Sequence, residues 1–303
     1  MSFSNEIRAE MRRTITDRDK RFACLYGILL YCRVFTEKQI CIQSESDEAA
    51  ALVPELFHSV FGVQLKPDKR SDSSLYSFTI TDPDMMQKIQ QTYQITPECR
   101  EINLRNLVNN SMSAFLAGVF FICGSAIDPN KEYHLEFVTP SELLCQDLNA
   151  ILGTFGVTGR MLQRKKSYIL YLKDSECIED TLTFMGAQQC TIELMNIKIR
   201  KDMRNKANRL RNCDEANINK VVAAAMKQTE DILLLMKSGE LEHLSPEIQE
   251  VAKLRIENPE LSLKEIGEML TVPIGRSGVN HRFQKIAAIA KELRENGKKS
   301  DPC

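Results

Sequence analysis

A duplication inside the first 190 residues constrains this 303-residue chain more than any other feature. Apolar residues at helical spacing over 22–32 are followed by a β-like stretch at 38–43 and by a helix from about Asp47 that closes on Phe61-Gly62-Val63. The same order returns as an apolar helix at 114–123, a β-like stretch at 134–138 and a helix from Ser141 that closes on Phe155-Gly156-Val157, at offsets of 91 to 94 residues. A hairpin is expected after each Phe-Gly-Val, with second strands at 75–81 and 168–173, and each copy ends in a helix, from about Asp84 and from about Ser175. The alternation of helical and strand periodicities predicts two copies of one α-β-α-β-β-α unit, whose first β slot is open to one strand or two. A duplicated mixed unit of this kind lets each copy cover an apolar face that the other leaves open.

From Lys198 onward the pattern is helical throughout. Residues 198–220 are basic and rich in asparagine, and 221–237 carry apolar residues at helical spacing, which predicts one long helix or two abutting ones. Residues 241–245 read as a linker, and Ser245-Pro246 opens a helix that Pro259 stops. Ser262 and Glu265 have the spacing of a capping box, in which the two side chains satisfy orphan amides at a helix start. Leu263, Ile266, Gly267 and Leu270 then recur on one face of a short helix. A turn over 271–275 and a longer helix over about 277–295, with Val279, Phe283, Ile286, Ala290 and Leu293 inward, complete a helix-turn-helix. The expected fold class is α+β: repeats at 1–105 and 106–197, a basic linker helix at 198–240, and an all-α helix-turn-helix domain at 241–303.

Formal net charge is −1, yet residues 1–197 carry −5 and residues 198–303 carry +4. A polyanionic partner is therefore sought on the C-terminal third. The longest apolar run, 114–123, falls short of the about 20 residues of a membrane span. The charged start lacks the apolar core of a leader, so a cytoplasmic protein without a membrane partner is expected. The ten cysteines include no C-x-x-C pair and read as buried thiols, so no metal or cofactor is expected.

Near the start of the last helix, Arg276, Ser277, Asn280, His281, Gln284 and Lys285 are expected to be exposed. A recognition helix presents such residues to base edges, where arginine reads guanine and asparagine or glutamine reads adenine. Arg276, Asn280 and Gln284 are the candidate base readers, and Lys264, Arg282 and Lys285 the candidate phosphate contacts; the alternative is a solvated polar face. Asparagine is a mediocre helix former, yet it recurs through the run 204–217. There Arg204, Asn208, Arg211 and Asn219 share a face beside Asn212, which suits nucleic-acid or partner contact, or a packing network between domains. Lys66, Lys69, Arg70, Arg160, Arg164, Lys165 and Lys166 cluster near the two hairpins.

Leu116-Ala117-Gly118-Val119-Phe120-Phe121-Ile122-Cys123-Gly124 resembles the LAGLIDADG motif of homing endonucleases, and Leu25 to Arg33 aligns with it more loosely. That resemblance implies two pseudo-symmetric repeats meeting at the motif helices, with hairpin sheets facing DNA and an aspartate of each motif binding a divalent metal. Cys32 and Cys123 stand at those two acid positions, and a thiol is a poor ligand for a hard cation. Three further features, namely Gly124-Ser125-Ala126-Ile127-Asp128-Pro129, the R-N-x-x-N-R-x-x-N-C-x-x-A-N run from Arg204 and the terminal Val279-Asn280-His281-Arg282, give a chain similar to the WhiA family almost throughout. That resemblance implies a non-enzymatic, nucleoid-associated DNA-binding regulator of sporulation, or of cell division and chromosome segregation, in Gram-positive bacteria. Double-stranded DNA is the implied partner, with a protein co-regulator as a second; oligomeric state and the DNA target are not encoded in any one motif. The competing readings are an RNA-binding or protein-docking module and an active metal-dependent endonuclease.

Overall fold

In the computed structural model, which describes residues 2–69, 74–165 and 167–297, each repeat begins with a helix buried along most of its length. α1 (Phe3–Thr14) precedes the first repeat, which runs α2 (Arg18–Tyr31), β1 (Val34–Phe35), β2 (Ile40–Ser44), α3 (Asp47–Phe61), β3 (Asp68–Lys69), β4 (Tyr76–Ile80) and α4 (Pro83–Tyr93). The second runs α5 (Met112–Cys123), β5 (Gly124–Ala126), β6 (Leu135–Thr139), α6 (Glu142–Gly153), β7 (Arg160–Arg164), β8 (Ser167–Leu172) and α7 (Ser175–Met185). Side-chain caps fix the helix starts by accepting from otherwise unpaired amides: Asp17 from Lys20 at 2.8 Å, and Asp174 from both Glu176 and Cys177. The open β slot holds two strands in each copy, so the unit is α-β-β-α-β-β-α.

Both sheets are antiparallel and identically ordered, β1-β2-β4-β3 and β5-β6-β8-β7. Register places Ile42 opposite Phe78 in one and Phe137 opposite Leu170 in the other, and all four are fully buried. The strand period of 2 thus turns one face of each sheet onto the shared core.

That core forms around the crossing of α2 and α5. A Cβ on Gly118 would lie 2.1 Å from the Cys24 carbonyl oxygen, and one on Gly27 would lie 2.5 Å from the Phe115 carbonyl oxygen. Each glycine therefore meets the backbone of the opposite helix, a distance that no side chain fits. Their separation equals the repeat offset, so the crossing itself is pseudo-twofold. Around it Leu25, Ile28, Leu29, Leu116, Val119 and Phe120 are fully buried, and the Tyr31 hydroxyl donates to the Leu144 carbonyl of the other repeat at 2.8 Å.

α8 (Gln188–Ser238) is one continuous helix of 51 residues, beginning upstream of Lys198. α9 (Pro246–Glu257), α10 (Leu263–Met269) and α11 (Arg276–Gly297) follow. The chain divides into two compact units, Met1–Lys201 and Asp202–Cys303. The core of the second draws Ile232 and Leu235 from α8 against Val251, Ile266, Val279 and Ile286. The terminal fold therefore reaches into α8 and does not start at 241. Among the described residues no helix is long and apolar enough to cross a membrane.

Gly118→Ala should prise α2 from α5 and cost about 1–3 kcal/mol or more, as overpacking does. Gly153→Ala, whose Cβ would meet open space, should be neutral or stabilising by about 0.4–1 kcal/mol. Urea unfolding of the two variants tests this; equal stabilities would contradict the crossing.

Candidate nucleic-acid interface

The helix-turn-helix is assembled from its caps inward. Ser262 accepts from the Glu265 amide at 3.3 Å while Glu265 accepts from the Ser262 amide at 2.8 Å, the reciprocal capping box that starts α10. The turn returns so tightly that Ile274 donates its amide to the Gly267 carbonyl at 3.1 Å. α11 then starts at Arg276 and buries Val279, Phe283, Ile286 and Ala290.

This burial leaves Arg276, Ser277, Asn280, His281, Gln284 and Lys285 exposed. Arg276, Asn280 and Gln284 follow one another at four-residue steps, as do Ser277, His281 and Lys285, giving two adjacent rows on one side of the helix. Arg276, Asn280 and the exposed Lys264 of α10 also line one cleft of about 470 Å³, whose further wall includes Lys220 and Val221 of α8. The end of the Asn/Arg-rich stretch is thereby brought to the start of α11. Arg204, Asn208, Arg211, Asn212 and Asn219 are exposed on α8 and do not line that cleft.

Arg282 departs from the expectation of a free phosphate contact. It is half-buried and donates to the Glu247 carbonyl of α9 at 3.3 Å. The Ser245 hydroxyl holds the Glu247 carboxyl below its usual range, and the charges of Arg282 and Lys285 lower it further. That carboxylate offsets part of the positive field on this flank.

One residue behind the site escaped the sequence reading. Arg255 of α9 is 2% exposed, yet it carries a guanidinium into the core. Its Nη1 donates to the Leu261 and Pro259 carbonyls at 2.6 and 3.2 Å, and its Nε to the Gln228 amide oxygen of α8 at 3.1 Å. The guanidinium carbon lies 5.5 Å from the centre of the Phe283 ring. Arg255 thus ties α8, the turn before α10 and α11 together. The available signal is its place after Ile248, Val251 and Ala252 in an otherwise apolar face.

In the first unit, Cys32 caps the end of α2 and Cys123 ends α5. Each thiol donates to a carbonyl of its own helix, Leu29 at 3.1 Å and Val119 at 3.2 Å. Burial pushes the Cys32 thiol up to about 12 and the Cys123 thiol upward as well, so both are neutral near pH 7. Beside each stands an arginine contributed by the segment ahead of the other motif helix. Arg100, ahead of α5, donates to the Leu30 and Cys32 carbonyls. Arg8, ahead of α2, donates to the Gly124 carbonyl at 2.5 Å. Each guanidinium carbon lies 5.3 Å from a phenylalanine ring centre, that of Phe35 or Phe120. The two arginines are themselves about one repeat offset apart, so their exchange across the interface follows the pseudo-twofold.

Lys66, Lys69, Arg160, Arg164 and Lys165 are exposed, and Lys69 is tied to the Tyr76 hydroxyl at 2.8 Å. Arg70 and Lys166 lie outside the described residues.

Comparison with known proteins joins these two units in one family. The WhiA LAGLIDADG-like domain matches residues 112–204, and the WhiA C-terminal HTH domain matches residues 207–290. A "Probable cell division protein WhiA" of Clostridium perfringens is 38% identical over 315 residues, covering 97% of this chain and 99% of that protein. One of the same description from Thermoanaerobacter pseudethanolicus is 34% identical, again covering 97% and 99%. The crystal structure of full-length DUF199/WhiA from "Thermatoga maritima" shares the fold with a TM-score of 0.58 at 22% identity, covering 96% of this chain and 99% of that one. A LAGLIDADG-like pair of repeats followed by a helix-turn-helix, matched along nearly the whole length by these relatives, places the chain in the WhiA family.

Proposed function

We propose that this chain is a non-enzymatic, cytoplasmic regulator that binds specific sequences in double-stranded DNA through α11 and acts on genes of cell division, chromosome segregation or sporulation. The observation that carries the reading is the row of exposed planar hydrogen-bonding groups at the start of α11. Arg276 and Asn280 stand where a recognition helix meets base edges in a major groove, with Gln284 one turn further on. Lys264 and Lys285 are the candidate phosphate contacts, with Arg282 as a flank residue already shared with α9.

A module of this size covers roughly 600–1,000 Å² of protein surface on DNA. With a net charge of +4 over residues 198–303, the electrostatic part of its affinity is small. A second contact is therefore part of the proposal, and Lys220 at the cleft makes the Asn/Arg-rich segment of α8 its first candidate. The hairpins of the first unit or a protein co-regulator are the others. A-form RNA narrows the major groove against a helix, so α11 favours duplex DNA over RNA.

Loss of nuclease chemistry belongs to the same proposal. Neutral thiols at Cys32 and Cys123 offer no oxygen ligands for magnesium, and the adjacent guanidinium groups of Arg100 and Arg8 repel a divalent cation. Without a bound metal there is no activated water for phosphodiester hydrolysis at these helix ends.

Two outcomes test the proposal. In titrations against matched and scrambled duplexes, Asn280→Ala should lose about 1–3 kcal/mol of discrimination at one base position. Lys285→Ala should weaken all duplexes alike and lower the salt slope by about 0.9. If Arg276→Ala and Asn280→Ala both leave selectivity intact in a folded protein, α11 is not the reader. Incubated with magnesium or manganese, the pure protein should leave supercoiled plasmid uncut, and so should Cys123→Asp, whose new carboxylate pairs with Arg8. Metal-dependent nicking by the unaltered protein would contradict the non-enzymatic reading.

A further inference from the structure

Two helix starts in the first unit converge on a polar cavity of about 450 Å³. Ser2 occupies the cap position of α1 and Ser46 that of α3, and neither hydroxyl caps its helix. Both line the cavity, together with Asn5 and Arg8 of α1 and Ser125 of β5. Serine at a helix cap ordinarily accepts from an amide two or three residues on. Here that role is unfilled at both ends.

The unpaired atoms sit deep. Ser46 is 3% exposed, and its hydroxyl has no hydrogen-bond partner among the described residues. The buried Nε of Arg8 likewise has none. The rest of the Arg8 guanidinium meets neutral groups: the Asn5 amide oxygen, the Gly124 carbonyl and the Phe120 ring. A half-buried cation held by neutral neighbours lacks the counter-charge that offsets its desolvation. Burial accordingly pushes Arg8 down to about 10.

Two acids beside the cavity are engaged, Glu48 by the Arg12 guanidinium at 3.2 Å and Asp47 by the Tyr76 hydroxyl at 2.5 Å; Glu45 also lines the cavity and is exposed. The other cavity hydroxyls are largely satisfied, Ser4 by the Ala126 backbone and Ser125 by Glu136. What remains open is therefore one guanidinium N–H, the Ser46 hydroxyl and the amide ends of α1 and α3. These are donors, and helix starts together with arginine are the recurring protein partners of a tetrahedral oxyanion. The volume exceeds that of a bare ion and lies in the range of small-ligand pockets, roughly 300–1,000 Å³.

We propose that this cavity between α1, α3 and β5 is a binding site for a phosphate group carried by a larger molecule, held by Arg8, the Ser46 hydroxyl and the starts of α1 and α3. The site is independent of base reading by α11. The phosphate belongs either to a free phosphorylated small molecule or to the backbone of bound DNA, and the recognition chemistry is the same for both.

The test is thermal unfolding of the full chain with increasing inorganic phosphate, at ionic strength held constant with chloride. Phosphate should raise the Tm of the unaltered protein saturably. Ser46→Ala and Arg8→Gln should each weaken the fitted affinity by about tenfold or more, as loss of a hydrogen bond to a charged group does. Ser46→Ala removes one unpaired atom and keeps the fold, so it decides the matter if Arg8→Gln fails to fold. Asn280→Ala should respond as the unaltered protein does, which separates failure of this site from failure of the recognition-helix reading. Displacement of phosphate by a duplex would assign the group to DNA, and simultaneous binding would assign it to a free phosphorylated molecule; both support the site. A response to phosphate no different from chloride, or the same saturable response in Ser46→Ala, would overturn it.

Discussion

The backbone contact between α2 and α5 governs the first unit. Two helices come close enough for Gly118 to touch the Cys24 carbonyl and Gly27 the Phe115 carbonyl only where both lack a Cβ at the crossing. Such proximity lets Leu25, Leu29, Leu116 and Phe120 interdigitate and close one core over both repeats. It also fixes where the helices end. Cys32 lies fully buried at the end of α2, and Cys123, at the end of α5, borders a cavity with Tyr31, Thr139 and Ser125.

Carboxylates at those two helix ends would be hard, anionic metal ligands; neutral thiols are not. The guanidinium groups of Arg8 and Arg100 then supply positive charge from within the chain, each reaching across to the repeat it does not precede. The same physics recurs in the second unit, where Arg255 satisfies backbone carbonyls and supports Phe283 from beneath. In both units arginine donors to backbone carbonyls hold segments that apolar packing alone would leave less defined.

Much of this was legible in the sequence because it is local. The repeat followed from the offset of Phe61-Gly62-Val63 and Phe155-Gly156-Val157, and the left-handed backbone at Gly62 and Gly156 (φ 72 and 79) gives the physical reason for those glycines. The capping box at Ser262 and Glu265 was readable at three-residue spacing, and so were the inward and outward faces of α11. The arginine exchange was not, because Arg8 meets Gly124 and Arg100 meets Cys32 only after the repeats have docked. The matching spacing of Arg8 to Arg100 was its one trace. The start of α8 was hidden for a different reason: buried Cys190, Leu194 and Ile197 are interleaved with exposed Ile192, Met195 and Ile199, so the apolar residues there do not form one clean helical stripe. The partial engagement of Arg282 followed from the position of α9, which single-helix spacing does not contain.

The central claim is that α11 reads duplex sequence on a chain whose relic repeats no longer cut. Selection of bound duplexes from a random pool by the full-length protein, followed by sequencing, tests it most directly. A defined motif should be enriched, with preference lost at separate base positions in Arg276→Ala and Asn280→Ala while the rest of the motif persists. Enrichment of no motif, or of the same complete motif by both variants, would contradict the account.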